Sequence, residues 1–239
     1  MVNKNQIKLI RQIKRKINRK EKKLFIVEGK KSIDDFLKSD YKVYEIYSTN
    51  PSEIKNDKVI IVSDYELSLL SSLKTPNKHL AIFYQKNEIL KKRDFYILLD
   101  RVNDPGNLGT IIRTCHWFGI DQIICSIDSV DCYNPKVVQS SMGSLSNVSI
   151  VYTDLSKFIE KTNKKIYGAS TNSKSIDNFN LVNFDGILIF GSESNGISKK
   201  LKGEIENFIT IPNNNLGSSP ESLNLAISVS IFVSKIKGI

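Results

Sequence analysis

Cysteine is too scarce and too badly spaced in this sequence for either of its usual structural tasks. Cys115, Cys125 and Cys132 are the only three. The odd number and the lack of a C-x-x-C pair exclude a disulfide framework and a zinc cluster. His79 and His116 stand apart, so no metal site is expected and neither has a partner for nucleophilic catalysis. No run approaches the ~18 apolar residues of a membrane span. The basic N-terminus is not followed by an apolar stretch, so it does not read as a secretory signal. Repeats and low-complexity blocks are also missing, apart from a polar turn from Asn213 to Pro220. A cytoplasmic, ordered protein without metal is the expectation.

What is present is charge, unevenly placed. The 239 residues carry a net +10, and length alone allows one large domain or two modest ones. The first 31 residues hold twelve of the 35 Lys and Arg but only Glu21 and Glu28 of the 25 acids, leaving 23 of each sign elsewhere. Such one-sided concentration is the electrostatic footprint of a nucleic-acid partner, although a solvated basic helix has the same composition. Ile7, Ile10, Ile13 and Ile17 recur at helical spacing among these charges and predict one amphipathic basic helix.

From Leu24 onward, short β-like runs (24–27, 43–47, 59–62, 80–84) alternate with helical pieces near 31–37 and 66–73, describing a small α/β domain over residues 1–88. A polar linker, Asn87 to Arg93, follows. The second domain, 95–239, opens on the apolar strand Phe95 to Leu99. Further strands are expected at 122–125, 148–152, 165–169, 186–190 and 208–211, with helices at 107–118, 135–141, 155–161 and 222–236. This alternation predicts a parallel sheet covered on both faces.

Three segments of the second domain sit at the predicted C-terminal ends of strands, where open α/β sheets bind ligands. In Asp104-Pro105-Gly106-Asn107-Leu108-Gly109-Thr110-Ile111-Ile112-Arg113, Pro and Gly form a turn, Asn107 is placed to cap a helix, and Arg113 lies more than a turn further along. By itself this is equally a capped helix with a surface arginine. In Gly191-Ser192-Glu193-Ser194-Asn195-Gly196, two glycines flank a carboxylate. Gly191 would let a ligand approach the backbone and Glu193 could accept from hydroxyls or an amine, though a plain structural turn has the same form. In the third segment Ile211-Pro212 precedes the polar turn, then Ser222-Leu223-Asn224 begins a helix with Ser222 as its expected cap and Asn224 in the first turn.

Taken together, in this order and spacing, the three segments resemble the signature motifs of the SpoU/TrmH family of RNA 2′-O-ribose methyltransferases, within the SPOUT superfamily. The resemblance covers Phe95 to the C-terminus, and more loosely Leu24 to Lys31, which looks like the start of a small L30e-like substrate-binding domain. It implies S-adenosylmethionine as cofactor and Arg113 as the principal catalytic position, with Asn107, Glu193 and Asn224 beside it. Gly191, Gly196, Ile211, Ser222 and Leu223 would line the cofactor pocket. It also implies a C-terminal trefoil knot, which periodicity could never suggest because ordinary folds avoid knots. A homodimer through the knotted region, completing each site across the interface, is implied as well. One departure is visible: the stretch between Pro212 and Ser222 is longer than in many members and lacks the common Met after Pro212, which bears on the rim of the pocket.

The implied reaction is in-line attack of a ribose oxygen on a sulfonium methyl, for which the protein positions two reactants and manages one proton. A neutral guanidine at pH 7 costs about 7 kcal/mol, so Arg113 is read as a cation that grips the neighbouring phosphate, with general base as the competing role. The accessory domain favours ribosomal over transfer RNA by analogy. A non-catalytic RNA-binding protein is one alternative. A Rossmann-type methyltransferase is another, but the proline-containing loop after Leu99 is not its glycine fingerprint. Of Tyr41, Tyr44 and Tyr47, which could stack bases, at least two are expected in packing roles instead.

Overall fold

A computed structural model describes residues 2–213 and 220–239, so most of the polar turn from Asn213 to Pro220 lies outside the described residues. Tertiary contacts divide the chain into two units. The first comprises residues up to Asn87 together with Asp131–Asn147, and the second comprises Glu88–Val130 and Val148–Ile239. The sequence boundary had grouped Asp131–Asn147 with the second half.

In the first unit the elements run α1 (Lys4–Ile13), α2 (Lys16–Lys22), β1 (Leu24–Glu28), α3 (Lys30–Lys38), β2 (Val43–Ser48), β3 (Val59–Ile61), α4 (Asp64–Leu70) and β4 (His79–Tyr84). The strands form a mixed sheet ordered β1-β4-β2-β3. The single basic helix expected over Ile7 to Ile17 is two helices, and Ile17 is 80% exposed rather than on the apolar face. The cause is Arg19, the largest fully buried side chain. Its Nη1 donates to the Ile13 and Lys14 carbonyls, while Nε and Nη2 donate to Asp131 at 3.0 and 2.7 Å. Those carbonyls end α1, and a guanidinium satisfies orphan C-terminal oxygens well. Nor is the basic segment a loose arm: Ile10 and Ile13 are fully buried in one cluster with Leu24, Ile26 and Tyr47. Tyr47 and Tyr41 are core residues, the latter edge-on to Phe25 and Phe36, whereas Tyr44 pairs with the partly exposed Tyr84.

The second unit is built on β5 (Phe95–Leu99), α5 (Pro105–Trp117) and β6 (Gln122–Ser126). After α6 (Pro135–Ser141), which packs in the first unit, come β7 (Ser149–Thr153), α7 (Leu155–Ile159) and β8 (Lys165–Ser175). Then follow β9 (Gly186–Phe190), α8 (Lys199–Lys202), β10 (Asn207–Thr210) and α9 (Leu225–Ile236). Its six strands are ordered β10-β8-β9-β5-β6-β7, and every neighbouring pair is parallel, as the alternation predicts. Near-continuous apolar strands such as Phe-Tyr-Ile-Leu-Leu and Gly-Ile-Leu-Ile-Phe suit a sheet buried on both faces. On one face Leu98, Ile124, Ile187 and Ile189 pack with Leu155 and Ile159 of α7 and Leu201 of α8. Phe190, of opposite parity, meets Phe232 of α9 edge-on at 5.4 Å. An aromatic pair of this kind adds about 0.5–1.5 kcal/mol beyond its buried area and fixes α9 against β9.

All three cysteines are buried, and none is in a disulfide among the described residues. Burial pushes the Cys115 and Cys125 thiols far up from their ordinary range, so neither supplies a thiolate nucleophile at neutral pH. Among the described residues no group of His, Cys, Asp or Glu could hold a metal ion. Among them, too, no helix is long and apolar enough to cross a membrane.

Candidate active site

The loops after β5, β9 and β10 leave the same edge of the parallel sheet. Leu98 pairs with Ile189, Ile189 with Gly168, and Gly168 with Phe208, so these residues lie at one level across four strands. Asp100, Gly191 and Ile211 follow two to three residues later, at the C-terminal edge where such sheets take ligands.

Two helix caps then decide the geometry. On α5 the cap is Asp104, not Asn107: the Asp104 carboxylate accepts from the Asn107 backbone N–H at 2.7 Å, and Pro105 occupies the first turn. An aspartate N-cap followed by proline is the favoured arrangement, and it frees the Asn107 side chain. On α9 the cap is Asn224, not Ser222, with Oδ1 accepting from the Ala226 and Ile227 amides at 2.9 and 3.3 Å. Asn224 is therefore outside the first turn, and Ser222 is exposed two residues before it.

The consequence is a directed hydrogen-bond relay. With its oxygen committed to the helix, Asn224 can only donate through Nδ2, and it does so to Asn107 Oδ1 at 2.9 Å. Asn107 Nδ2 in turn donates to Glu193 Oε1 at 2.5 Å. One helix terminus thus fixes the orientation of two amides and one carboxylate drawn from three segments far apart in the chain. Glu193 itself is exposed.

Arg113 is not brought to this relay. It lies on α5 six residues beyond Asn107, which on a regular helix is about 9 Å along the axis and about 120° around it. Its side chain is exposed. Its neighbour Thr114 bonds Ser230 of α9 at 3.1 Å, so this stretch of α5 is held against α9.

Gly191 is required, but for a reason other than ligand approach. A Cβ there would lie 2.0 Å from the Gly196 carbonyl carbon and 2.1 Å from the Ile197 nitrogen. The loop closes on itself: Gly196 N–H donates to Ser192 O at 2.9 Å, and Gly196 takes a positive φ of 62° that favours glycine. Leu223 is 46% exposed and Ile211 half-buried, which leaves both apolar side chains able to contact a ligand at this edge.

Two residues read from the sequence only as loop hold this arrangement. Asp100 is buried, and its Oδ2 accepts from the Ser198 N–H at 2.6 Å. Arg101, in the left-handed region at φ 56°, donates through Nη2 to Gly196 O at 3.3 Å. Its Nε is buried without a hydrogen bond, 3.5 Å from Asp100 Oδ1. Together they clasp the 191–198 loop to the end of β5. The available signal was an acid–base pair directly after an apolar strand that is buried from Tyr96 to Leu99. Asp100→Ala is expected to cost about 1.5–3 kcal/mol, because Ser198 loses a charged acceptor. Asp100→Asn, which keeps an acceptor, should recover part of that in urea denaturation.

Residues 94–234 match the model of the SpoU rRNA Methylase family. The chain belongs to that family. Residues 4–81 match a second model, the MRM3-like substrate binding domain. Family relatives resemble the chain over nearly its whole length. A solved structure described as a putative RNA methyltransferase of the TrmH family from Porphyromonas gingivalis is 33% identical, covers 100% of this chain and 99% of its own, and superposes with a TM-score of 0.90. The AdoMet-bound rRNA methyltransferase from Sinorhizobium meliloti is 25% identical with a TM-score of 0.86, covering 100% and 97%. In Bacillus subtilis, 23S rRNA (guanosine(2553)-2′-O)-methyltransferase RlmP is 27% identical over 98% of this chain and 97% of its own length.

Proposed function

We propose that this protein transfers a methyl group from S-adenosylmethionine to a ribose 2′-hydroxyl of ribosomal RNA. The observation that carries the proposal is the Asn224–Asn107–Glu193 relay at the C-terminal edge of the parallel sheet, in a chain of the SpoU family. A non-catalytic RNA-binding protein has no need of three segments converging on one oriented carboxylate.

The residues at this edge fit the cofactor. Glu193 offers a carboxylate to a cationic sulfonium or amine, exposed Leu223 and half-buried Ile211 offer apolar surface, and the tightly closed Gly191–Gly196 loop offers backbone groups. When bound, S-adenosylmethionine supplies the methyl electrophile and its own leaving group. The protein's task is positional. Asn224 and Asn107 hold Glu193 in one orientation, and Ser222 and Gly196 stand beside the same edge.

Arg113 stays cationic in this scheme, grips the phosphate next to the target ribose and eases loss of the hydroxyl proton. Its distance from the relay supports completion of the site by a second protomer. Trp117 at the end of α5 is 85% exposed, and Ile227 and Ile231 of α9 are 51% and 37% exposed. Uncovered apolar surface on two adjoining helices is what a homodimer interface looks like before association. A C-terminal trefoil knot and an L30e-like first domain remain part of the proposed family architecture. The buried, reduced cysteines agree with a cytoplasmic setting.

Isothermal calorimetry with S-adenosylmethionine and mapping of ribose methylation in RNA from cells lacking the protein test the proposal. Binding of the cofactor and loss of one ribosomal 2′-O-methyl mark are expected. No cofactor binding, or a missing mark in transfer RNA, would overturn it.

A further inference from the structure

The net charge of the molecule is concentrated at its N-terminus, and the structure gives that charge a shape. Lys4, Lys8 and Arg11 follow one another at helical spacing on α1, and an ideal helix brings them within about 60° of arc. Ile10 and Ile13 occupy the opposite face, buried in the core of the first unit. Arg15 begins the turn into α2, and Asn18 of α2 donates to the Gln12 carbonyl at 3.0 Å, folding the second helix back on the first. Between them lies a concavity of about 510 Å3 lined by the polar residues Lys4, Lys8, Arg11, Gln12, Arg15 and Asn18 and by one apolar side chain, Ile7. Its four cations are all exposed, and among the described residues none forms an ion pair. No acidic side chain lines it. Glu28, one of only two acids in the first 31 residues, is taken up by Ser71 and Ser72.

We infer that this α1–α2 groove is a phosphate-backbone dock that holds the RNA substrate away from the methylated nucleotide. The inference rests on the methyltransferase reading for the identity of the polyanion. Successive cations stand three to four residues apart, about 4.5–6 Å along the helix, so each can meet a separate phosphate of one strand. Gln12 and Asn18 supply neutral donors suited to phosphate or ribose oxygens. The groove reads no base edges, so its contribution is independent of sequence and strongly salt-dependent. A membrane surface is disfavoured by the helix itself. An interfacial amphipathic helix needs its apolar face free to enter lipid, and here that face is spent on the core.

The test uses the full-length protein, a labelled 30-nucleotide RNA hairpin of arbitrary sequence, and salt titrations from 50 to 200 mM. Replacing Lys4, Lys8, Arg11 and Arg15 together by Gln removes four phosphate contacts. At 0.7–0.9 per contact, the slope of log K against log salt should then fall in magnitude by about 3. Across that fourfold salt range the unaltered protein therefore loses about 60-fold more affinity than the variant. A charge-matched control replaces Lys38, Lys42, Lys55 and Lys74, exposed lysines of the same unit, and should leave the slope nearly unchanged. An unaltered slope in the groove variant, an equal loss in the control, or binding of vesicles rich in anionic lipid in place of RNA would overturn the inference. Cofactor calorimetry on the same samples separates the two levels. Normal cofactor binding by the groove variant shows that the fold is intact, whereas failure of the unaltered protein to bind the cofactor strikes the methyltransferase reading and leaves the salt slope to judge the groove.

Discussion

Arg113→Ala is expected to lower methyl transfer by about 10²–10³-fold, the usual loss when one preorganised donor at a developing charge is removed. Affinity for S-adenosylmethionine should move by less than about twofold, because the side chain acts on the RNA and only as the reaction proceeds. The competing role, general base, is separated by Arg113→Lys. A lysine base would bring an essential ionisation near pH ~10.4 into the pH–rate profile; retention of the original profile with reduced rate is the expected result. The position of Arg113, about 120° around α5 from Asn107, allows a sharper experiment. If each site takes its arginine from the partner protomer, inactive Arg113→Ala chains mixed with inactive Asn224→Ala chains form heterodimers with one complete site. Random pairing should then restore about a quarter of full activity. If arginine and relay served the same site within one chain, every site would remain broken and mixing would restore nothing.

Gly191→Ala is expected to have the largest effect on the integrity of the site. The added methyl would meet the backbone of Gly196 and Ile197 at 2.0–2.1 Å, and backbone cannot rotate aside as a side chain can. Overpacking in a well-formed interior costs about 1–3 kcal/mol and occasionally more, and a clash with fixed backbone belongs at or above the upper end. A drop in melting temperature of roughly 6–12 °C follows for a chain of this size. The loop must open to admit the methyl, so the Ser192–Gly196 closure and the aim of Glu193 are lost together, and cofactor binding should fall below detection in calorimetry. Gly196→Ala provides the contrast. Nothing lies within 4 Å of its added Cβ, and only the positive φ of 62° is strained, so it should cost about 1 kcal/mol and leave the cofactor site assembled.

Much of the second unit was legible because its signals are local. Phe95 to Leu99 and Gly186 to Ile189-Phe190 are unbroken apolar runs between polar turns, and the observed strands have those ends. Pro135 after Asn134 marks the start of α6 as plainly. The caps were misread by a few residues because Asp104, Asn107, Ser222 and Asn224 all have capping chemistry. Which of them caps depends on what the others are bonded to. The break between α1 and α2 was hidden for a similar reason: nothing near Arg19 in the sequence sets it apart from the surrounding cations, and its partner Asp131 lies 112 residues away.

The order of motifs, the alternation of strand and helix and the one-sided charge are properties of neighbouring residues, and the amino-acid sequence settled them unaided. The relay from Asn224 through Asn107 to Glu193 spans gaps of 117 and 86 residues, and the closure of Gly191 on Gly196 is set by how a loop folds back. No periodicity encodes such meetings, since hydrogen-bond direction and steric exclusion act only between atoms that folding has already brought together. The sequence could nominate these groups; the tertiary structure chose which of them touch, which way each amide faces, and that Arg113, exposed further along α5, joins none of them by a hydrogen bond or ion pair.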